Sequence, residues 1–449
     1  MISTRPSRRA LALTIWFFVF LLGSSPAYAH GVGGRQDLPL PLNFFIVGAG
    51  IVIVISFVLL EMLWRSPRLQ AGPKERPLPG GPLWQGLGLL SALLGLVWLG
   101  LVVADGFVGE SGGSSSPILV WIGFWLIIPF LSAVFGNLYA SFSPWRTLGP
   151  IFGTGSRTSS KGIWPAVVVF FVFAWLELIP TFGGQATTLA AVAIGYSLWL
   201  FGWTYALGTD GGLLAADVFT TYNRLISAIA PIGRNKEGIA VWRGWLRALP
   251  VLPQWPGLTW FVLIMIGTVT YDGLSGAPIW RQWFGGLAFN VGFNTIAMAS
   301  IIAIVALGYF GSTAAAARLS ETDRTGIDVA NSFAHTLVPI ALAYAFAHYF
   351  TLVIFEGQLL FRAASDPFGL GWDLFGTAER AIDFTILPTA LIWWIQLVTI
   401  VTGHIVGVVL AHDRALAEFP ARTAVKTQWA MLVLMVALTG IGLFVLAEG

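Results

Sequence analysis

Cysteine is absent from the 449 residues, which excludes disulfides, thiolate metal sites and cysteine nucleophiles. Charge is scarce: Asp, Glu, Lys and Arg make up 10% of the chain, against about 25% in an average soluble domain. The sequence holds no Walker A loop, no HExxH, no G-x-S-x-G and no EF-hand loop. No segment repeats arginine at every third position, as a voltage sensor would. A chain so poor in charge cannot solvate its own surface in water.

What it has instead is apolar length. Hydrophobic residues make up 56% of the sequence, and the mean hydropathy is +0.79. They come in blocks of about twenty, the number that carries a helix through a ~30 Å hydrocarbon core. The 21 tryptophans suit interfacial belts. The expected fold class is all-α, a polytopic transmembrane bundle of about ten spans embedded in a lipid bilayer. The net charge of +3 does not point to nucleic acid, because the basic residues gather in loops on one side.

Arg5, Arg8 and Arg9 precede a short apolar run from Ala10 to Leu22 and an A-x-A site at Ala27–Ala29. This reads as a signal peptide over 1–29, leaving His30 as the mature N-terminus and 30–449 as one membrane-embedded domain. A terminal histidine offers an α-amine and an imidazole nitrogen to one metal ion. The expected spans are 42–64, 85–104, 117–139, 164–182, 186–207, 258–274, 287–311, 331–355, 384–411 and 428–446. The loops on one side (65–84, 140–163, 208–257, 312–330 and 412–427) carry 17 of the 24 Lys and Arg. The other side carries Arg35, Arg281, Arg362 and Arg380. By the positive-inside rule the first set, including the long loop 208–257, is cytoplasmic. That places the chain in the cell membrane with both mature termini outside. Within the long loop, Val241 to Arg247 reads as an interfacial stretch, with Trp242 and Trp245 in the headgroups and Arg243 and Arg247 snorkelling. The segment 356–383 is the largest outer loop and a candidate lid.

Ionisable groups inside a bilayer cost about 2.5–3.5 kcal/mol each on insertion scales and usually have a partner or a task. Counting along the spans puts Asp105, Glu177, Asp272, Asn290, Asn294, His348 and Glu356 at one depth in the outer half, on the side where His30 would emerge. Interhelical hydrogen bonding is the structural alternative for each of them. His335 and His404 fall together near the cytoplasmic side and form a second candidate site, with packing as the favoured reading. His412 reads as a cap on the end of its span.

Three stretches carry a family resemblance: Ala29 to Pro41 (AHGVGGRQDLPLP), Phe142 to Thr147 (FSPWRT), and Ala347 to Leu352 (AHYFTL) leading to Glu356-Gly357-Gln358. There the chain resembles actinobacterial multi-span membrane proteins labelled fenitrothion hydrolase, a membrane-integral organophosphate hydrolase. The resemblance implies hydrolysis of a phosphotriester, a small-molecule substrate. Joined to the residue reading, it gives a metal-assisted hydrolase with an outward-facing site. His30, His348 and Asp105 would hold a divalent ion, zinc or similar. Glu177, Asp272 and Glu356 would complete the shell or act as base, and Asn290 and Asn294 would position substrate or water. The rival reading is a transporter for a small solute or metal ion. A third is a non-catalytic subunit of a membrane complex, with a partner subunit in the membrane.

Overall fold

The computed structural model describes residues 41–108 and 114–448; the expected signal peptide, His30 and Arg35 lie outside them. Among the described residues, nine helices are long and apolar enough to cross a bilayer. The chain is an all-α, multi-spanning membrane protein. In chain order the principal helices are α1 (Leu42–Leu63), α2 (Gly81–Val108), α3 (Ile118–Phe135), α4 (Trp164–Leu178), α5 (Ala186–Leu207), α6 (Leu258–Gly276), α7 (Val291–Leu319), α8 (Val338–Phe355), α9 (Thr389–Glu418) and α10 (Trp429–Glu448). The first ten residues of α3 are wound as a π-helix, a form that recurs at functional sites.

The exception to the expected ten spans is α4. It has 15 residues and stops ahead of Pro180, which has no backbone N–H to extend the helix. Its rise of about 22 Å falls short of a ~30 Å core.

Burial grades the bundle. α6 is the central helix, with 78% of its spanning stretch inside the protein, whereas α2 has 11% inside and presents leucines outward. The basic loops meet at one end. Arg247 donates to the Arg68 carbonyl, Gln70 to Asp413, and Arg324 pairs with Glu418. A small antiparallel sheet of Arg76–Pro77, Ala240–Trp242 and Ile232–Arg234 closes that end. The expected interfacial stretch is therefore partly sheet. Arg243 does not snorkel: its guanidinium donates to the carbonyls of Ser227 and Ala230, at and just beyond the end of the helix Val218–Ser227.

Two of the expected loops enter the bundle. After Gly136 the chain rises through Tyr139–Phe142, bends at Ser143, and descends as Pro144–Phe152. The Phe142 carbonyl lies against Gly95, deep in α2. Trp145 donates to Ser197 at 2.9 Å, and Phe152 stacks on Phe201 further down α5. The second excursion begins at Gly208, where a positive φ of 78° turns the chain back along α5. Thr209–Ala216 runs inward, the chain breaks at Asp217, and Val218–Ser227 returns toward the sheet. Asp217 meets Tyr196, about 16 Å up α5 from its Leu207 end. Broken backbone at such depth is tolerated where protein surrounds it, and Val218–Ser227 is buried on nearly every side.

Gly95 is the contact that admits the first excursion: a Cβ there would lie 1.7 Å from the Phe142 carbonyl oxygen. Gly95→Ala is therefore expected to destabilise the protein by about 1–3 kcal/mol, read as a lower melting midpoint in detergent. An unchanged midpoint would mean that the excursion does not seat against α2.

Candidate functional site

Part of the expected outer-half cluster assembles around the end of α6 away from the basic loops. Asp272 accepts from His348 Nε2 at 2.9 Å and from the Tyr349 hydroxyl at 2.7 Å, both on one carboxylate oxygen, Oδ2. His348 and Tyr349 are consecutive on α8, about 100° apart around its axis, so together they straddle α6. Gly273 permits the approach: a Cβ there would meet Val445 at 1.9 Å and the His348 ring at 3.4 Å. The pair is open rather than sealed, with side-chain exposures of 19% for His348 and 25% for Asp272. With Asp272 ionised, Nε2 carries the imidazole proton and Nδ1 is left to act as base, proton carrier or ligand.

Glu177 joins the cluster from α4. It lines a small cavity with Trp125, Phe170, Tyr222, Thr268 and Tyr349, and it stands within electrostatic reach of Asp272. Tyr349 is thus common to both acids: its ring faces the Glu177 cavity and its hydroxyl binds Asp272. Asp272, His348 and Tyr349 form a hydrogen-bonded group between α6 and α8, with Glu177 of α4 within electrostatic reach of Asp272 and Tyr349.

The other expected site residues are placed elsewhere. Asp105 is buried and accepts from the Ser114 and Ser116 hydroxyls and the Ser116 amide, all on Oδ2. It fastens the start of α3. Asn290 caps α7 through the Phe293 amide at 2.8 Å, and Asn294 donates to the Ala288 carbonyl at 2.9 Å. Glu356 opens the turn after α8, half-buried, with no bond to the His348 pair. His335 sits beside Ser332, Arg414 and Asp413, while His404 bonds back to the Ile400 carbonyl at 2.8 Å. No hydrogen bond joins these two imidazoles. His30 lies outside the described residues. Among the described residues no three His, Asp or Glu side chains are grouped to hold a metal ion; the His348 and Asp272 pair supplies two donors.

His412 does not cap its helix, which runs on to Glu418. Its ring bridges the Gln428 side chain and the Trp64 carbonyl, each at 2.9 Å. Beside it Asp413 collects Trp64 Nε1, Gln70 Nε2 and the Arg68 and Leu69 amides.

The residue that sequence reasoning passed over is Asp217. It is fully buried, and each oxygen has two donors: Tyr196 at 2.7 Å and the Phe219 amide at 2.9 Å on Oδ1, Tyr139 at 2.8 Å and Thr220 at 2.6 Å on Oδ2. Tyr139 also accepts from Ser143 at 3.3 Å, so the two breaks, Ser143 and Asp217, are tied through one phenol. Each break is the N-cap of a helix that runs back toward the basic end. Above them lies an aromatic cavity of about 320 Å³, walled by Trp98, Trp121, Phe124, Trp145, Phe173 and Tyr196. Val218 and Phe219 form its floor. α4 separates this cavity from the acidic one, with Phe173 and Leu176 on the first side and Ala174 and Glu177 on the second.

Against descriptions of protein families, curated proteins and solved structures, the chain finds no match.

Proposed function

We propose that the protein is a proton-coupled secondary transporter for a flat aromatic solute, seated in the cell membrane with its basic end toward the cytoplasm. The observation that carries this reading is the meeting of two broken helical excursions at Ser143 and Asp217, directly beneath the aromatic cavity. Discontinuous helices near the membrane midplane are a recurring way to build a transport site. The cavity wall offers ring faces and almost no hydrogen-bonding groups, so it selects by stacking rather than by polar contacts. Ionisable groups buried among spans serve as proton relays, and the Asp272, His348, Tyr349 and Glu177 group has the chemistry for one. α4 touches both sites, so protonation at Glu177 and occupancy of the cavity act on the same helix.

The test is reconstitution of the full chain into liposomes, with ethidium as the flat aromatic probe. Ethidium should quench tryptophan fluorescence and move across the bilayer when a pH gradient is imposed, and not after the gradient is collapsed. Absence of gradient-driven movement would sink the reading.

The His348–Asp272 pair favours a second reading, the phosphotriester hydrolase of the family resemblance. Nδ1 of an oriented imidazole can take a proton from water. A metal-assisted version needs three protein ligands or more, and the described residues bring two. The further donor would come from outside them, His30 first. Turnover of an aryl phosphotriester in detergent, with no gradient present, would favour this reading over transport.

A further inference from the structure

A third cavity lies at the basic end, outside both sites above. It measures about 400 Å³ and is walled by the first turns of α2, the end of α3, the base of Val218–Ser227 and the small sheet. Arg224, Arg234 and Arg243 line it, and among the described residues no carboxylate does. Among the described residues none of the three forms an ion pair; the ion pairs of arginine there use Arg146, Arg324, Arg414 and Arg422. Glu75 lies within electrostatic reach of Arg243, and Asp210 within reach of Arg224, without pairing. Arg243 spends its guanidinium on the Ser227 and Ala230 carbonyls, and Arg234 gives one donor to the Gly238 carbonyl. Arg224 gives none. It stacks 4.7 Å over the Trp255 ring and makes no hydrogen bond among the described residues, although it is half-buried and has five N–H donors. A guanidinium so placed, in a cavity lined by arginines and no acid, suits an anion. Ser91, Ser141 and Asn137 add neutral donors on the same wall.

The cavity also has an apolar lip. Leu87 and Phe135 line it and are 47% and 54% exposed, on the flank where α2 faces lipid. We infer that this cavity binds the phosphate headgroup of an anionic phospholipid from the leaflet on the basic side, with Arg224 and Arg234 on the phosphate and an acyl chain against Leu87 and Phe135. Basic pockets between spans at that interface suit anionic headgroups, and guanidinium is the natural partner for phosphate oxygens. A free phosphate would use the same arginines but leave the lip unexplained.

The experiment is native mass spectrometry of the full chain in neutral detergent with phosphatidylglycerol or phosphatidylcholine added. Phosphatidylglycerol should be retained with a preference of about tenfold or more, equivalent to ~1.4 kcal/mol. Arg224→Gln with Arg234→Gln should erase that preference, while Arg224→Lys keeps most of it. Unaltered melting of the glutamine variant separates lost binding from lost folding. If the double variant unfolds, Arg234→Gln alone decides, since Arg234 is exposed: it should lower the preference, and an unchanged preference would overturn the inference. Equal retention of both lipids, or a preference untouched by the double substitution, would overturn the inference. So would complete displacement of the lipid by millimolar inorganic phosphate, which would reassign the cavity to a soluble anion.

Discussion

Asp217→Ala is expected to destabilise the protein more than any other single substitution considered, by at least about 3–5 kcal/mol, the cost of breaking one side of a buried charged arrangement. Four donors converge on that carboxylate: two phenols, one threonine hydroxyl and one backbone amide. All would be left facing a void where water has poor access, and hydrogen bonds to a charged group are worth about 1.5–3 kcal/mol each. Loss of the N-cap adds about 1 kcal/mol at the start of Val218–Ser227. The damage extends to the first excursion, because Tyr139 is its link to Asp217.

Asp217→Asn should behave differently. Its amide nitrogen can only donate, and Phe219 N–H cannot turn to accept. The nitrogen must therefore take the Oδ2 position, where the Tyr139 and Thr220 hydroxyls can rotate to receive it. The expected loss is about 1–2 kcal/mol. Melting of the three proteins in detergent, followed by tryptophan fluorescence, gives the order native, asparagine, alanine. Alanine melting like the native chain would mean that the apex is open to water.

That apex shows where the sequence stops being legible. The spans could be read because burial in lipid demands one property, apolarity over about twenty residues, and composition reports it directly. Asp217 could not, because Thr209 to Ser227 contains Asp210, Asp217, Asn223 and Arg224 and so reads as a loop. Asp217 is satisfied by protein rather than water, through Tyr196 on α5 and Tyr139 on the first excursion, partners that no local pattern announces. One signal was available: Asp217-Val218-Phe219-Thr220 has an acid at the N-cap of an amphipathic run, following the close Gly208, Gly211 and Gly212. Of the expected outer cluster, depth counting placed Glu177, Asp272 and His348 together because helical rise is nearly constant. It failed to separate Asp105, Asn290 and Asn294 from them, since depth says nothing of azimuth and each had a nearer backbone or serine partner. Two of the three stretches behind the family resemblance fold into these places. FSPWRT forms the Ser143 break, and AHYFTL supplies His348 and Tyr349.

Asp272→Asn should abolish gradient-driven ethidium movement, by about a hundredfold or more, ~2.7 kcal/mol in barrier, while the protein still inserts and melts near the native midpoint. The asymmetry follows from the geometry. Asparagine keeps an oxygen for the His348 and Tyr349 donors, so the structural loss is that of an interhelical hydrogen bond, about 0.6 kcal/mol on average and up to roughly 2. What it removes is the carboxylate that accepts and releases a proton and fixes the imidazole tautomer. His348→Ala should remove coupling for the same reason, and Glu177→Gln should do so without touching the Asp272 bonds, because Glu177 reaches the cluster through the cavity it shares with Tyr349. His335→Ala is the control. His335 lies at the basic end beside Arg414 and Asp413, remote from this group along α8, with ~20 Å of helix rise between it and His348. If His335→Ala stops transport while His348→Ala is tolerated, the working group is at the basic end of the bundle, and the Asp272 cluster is packing.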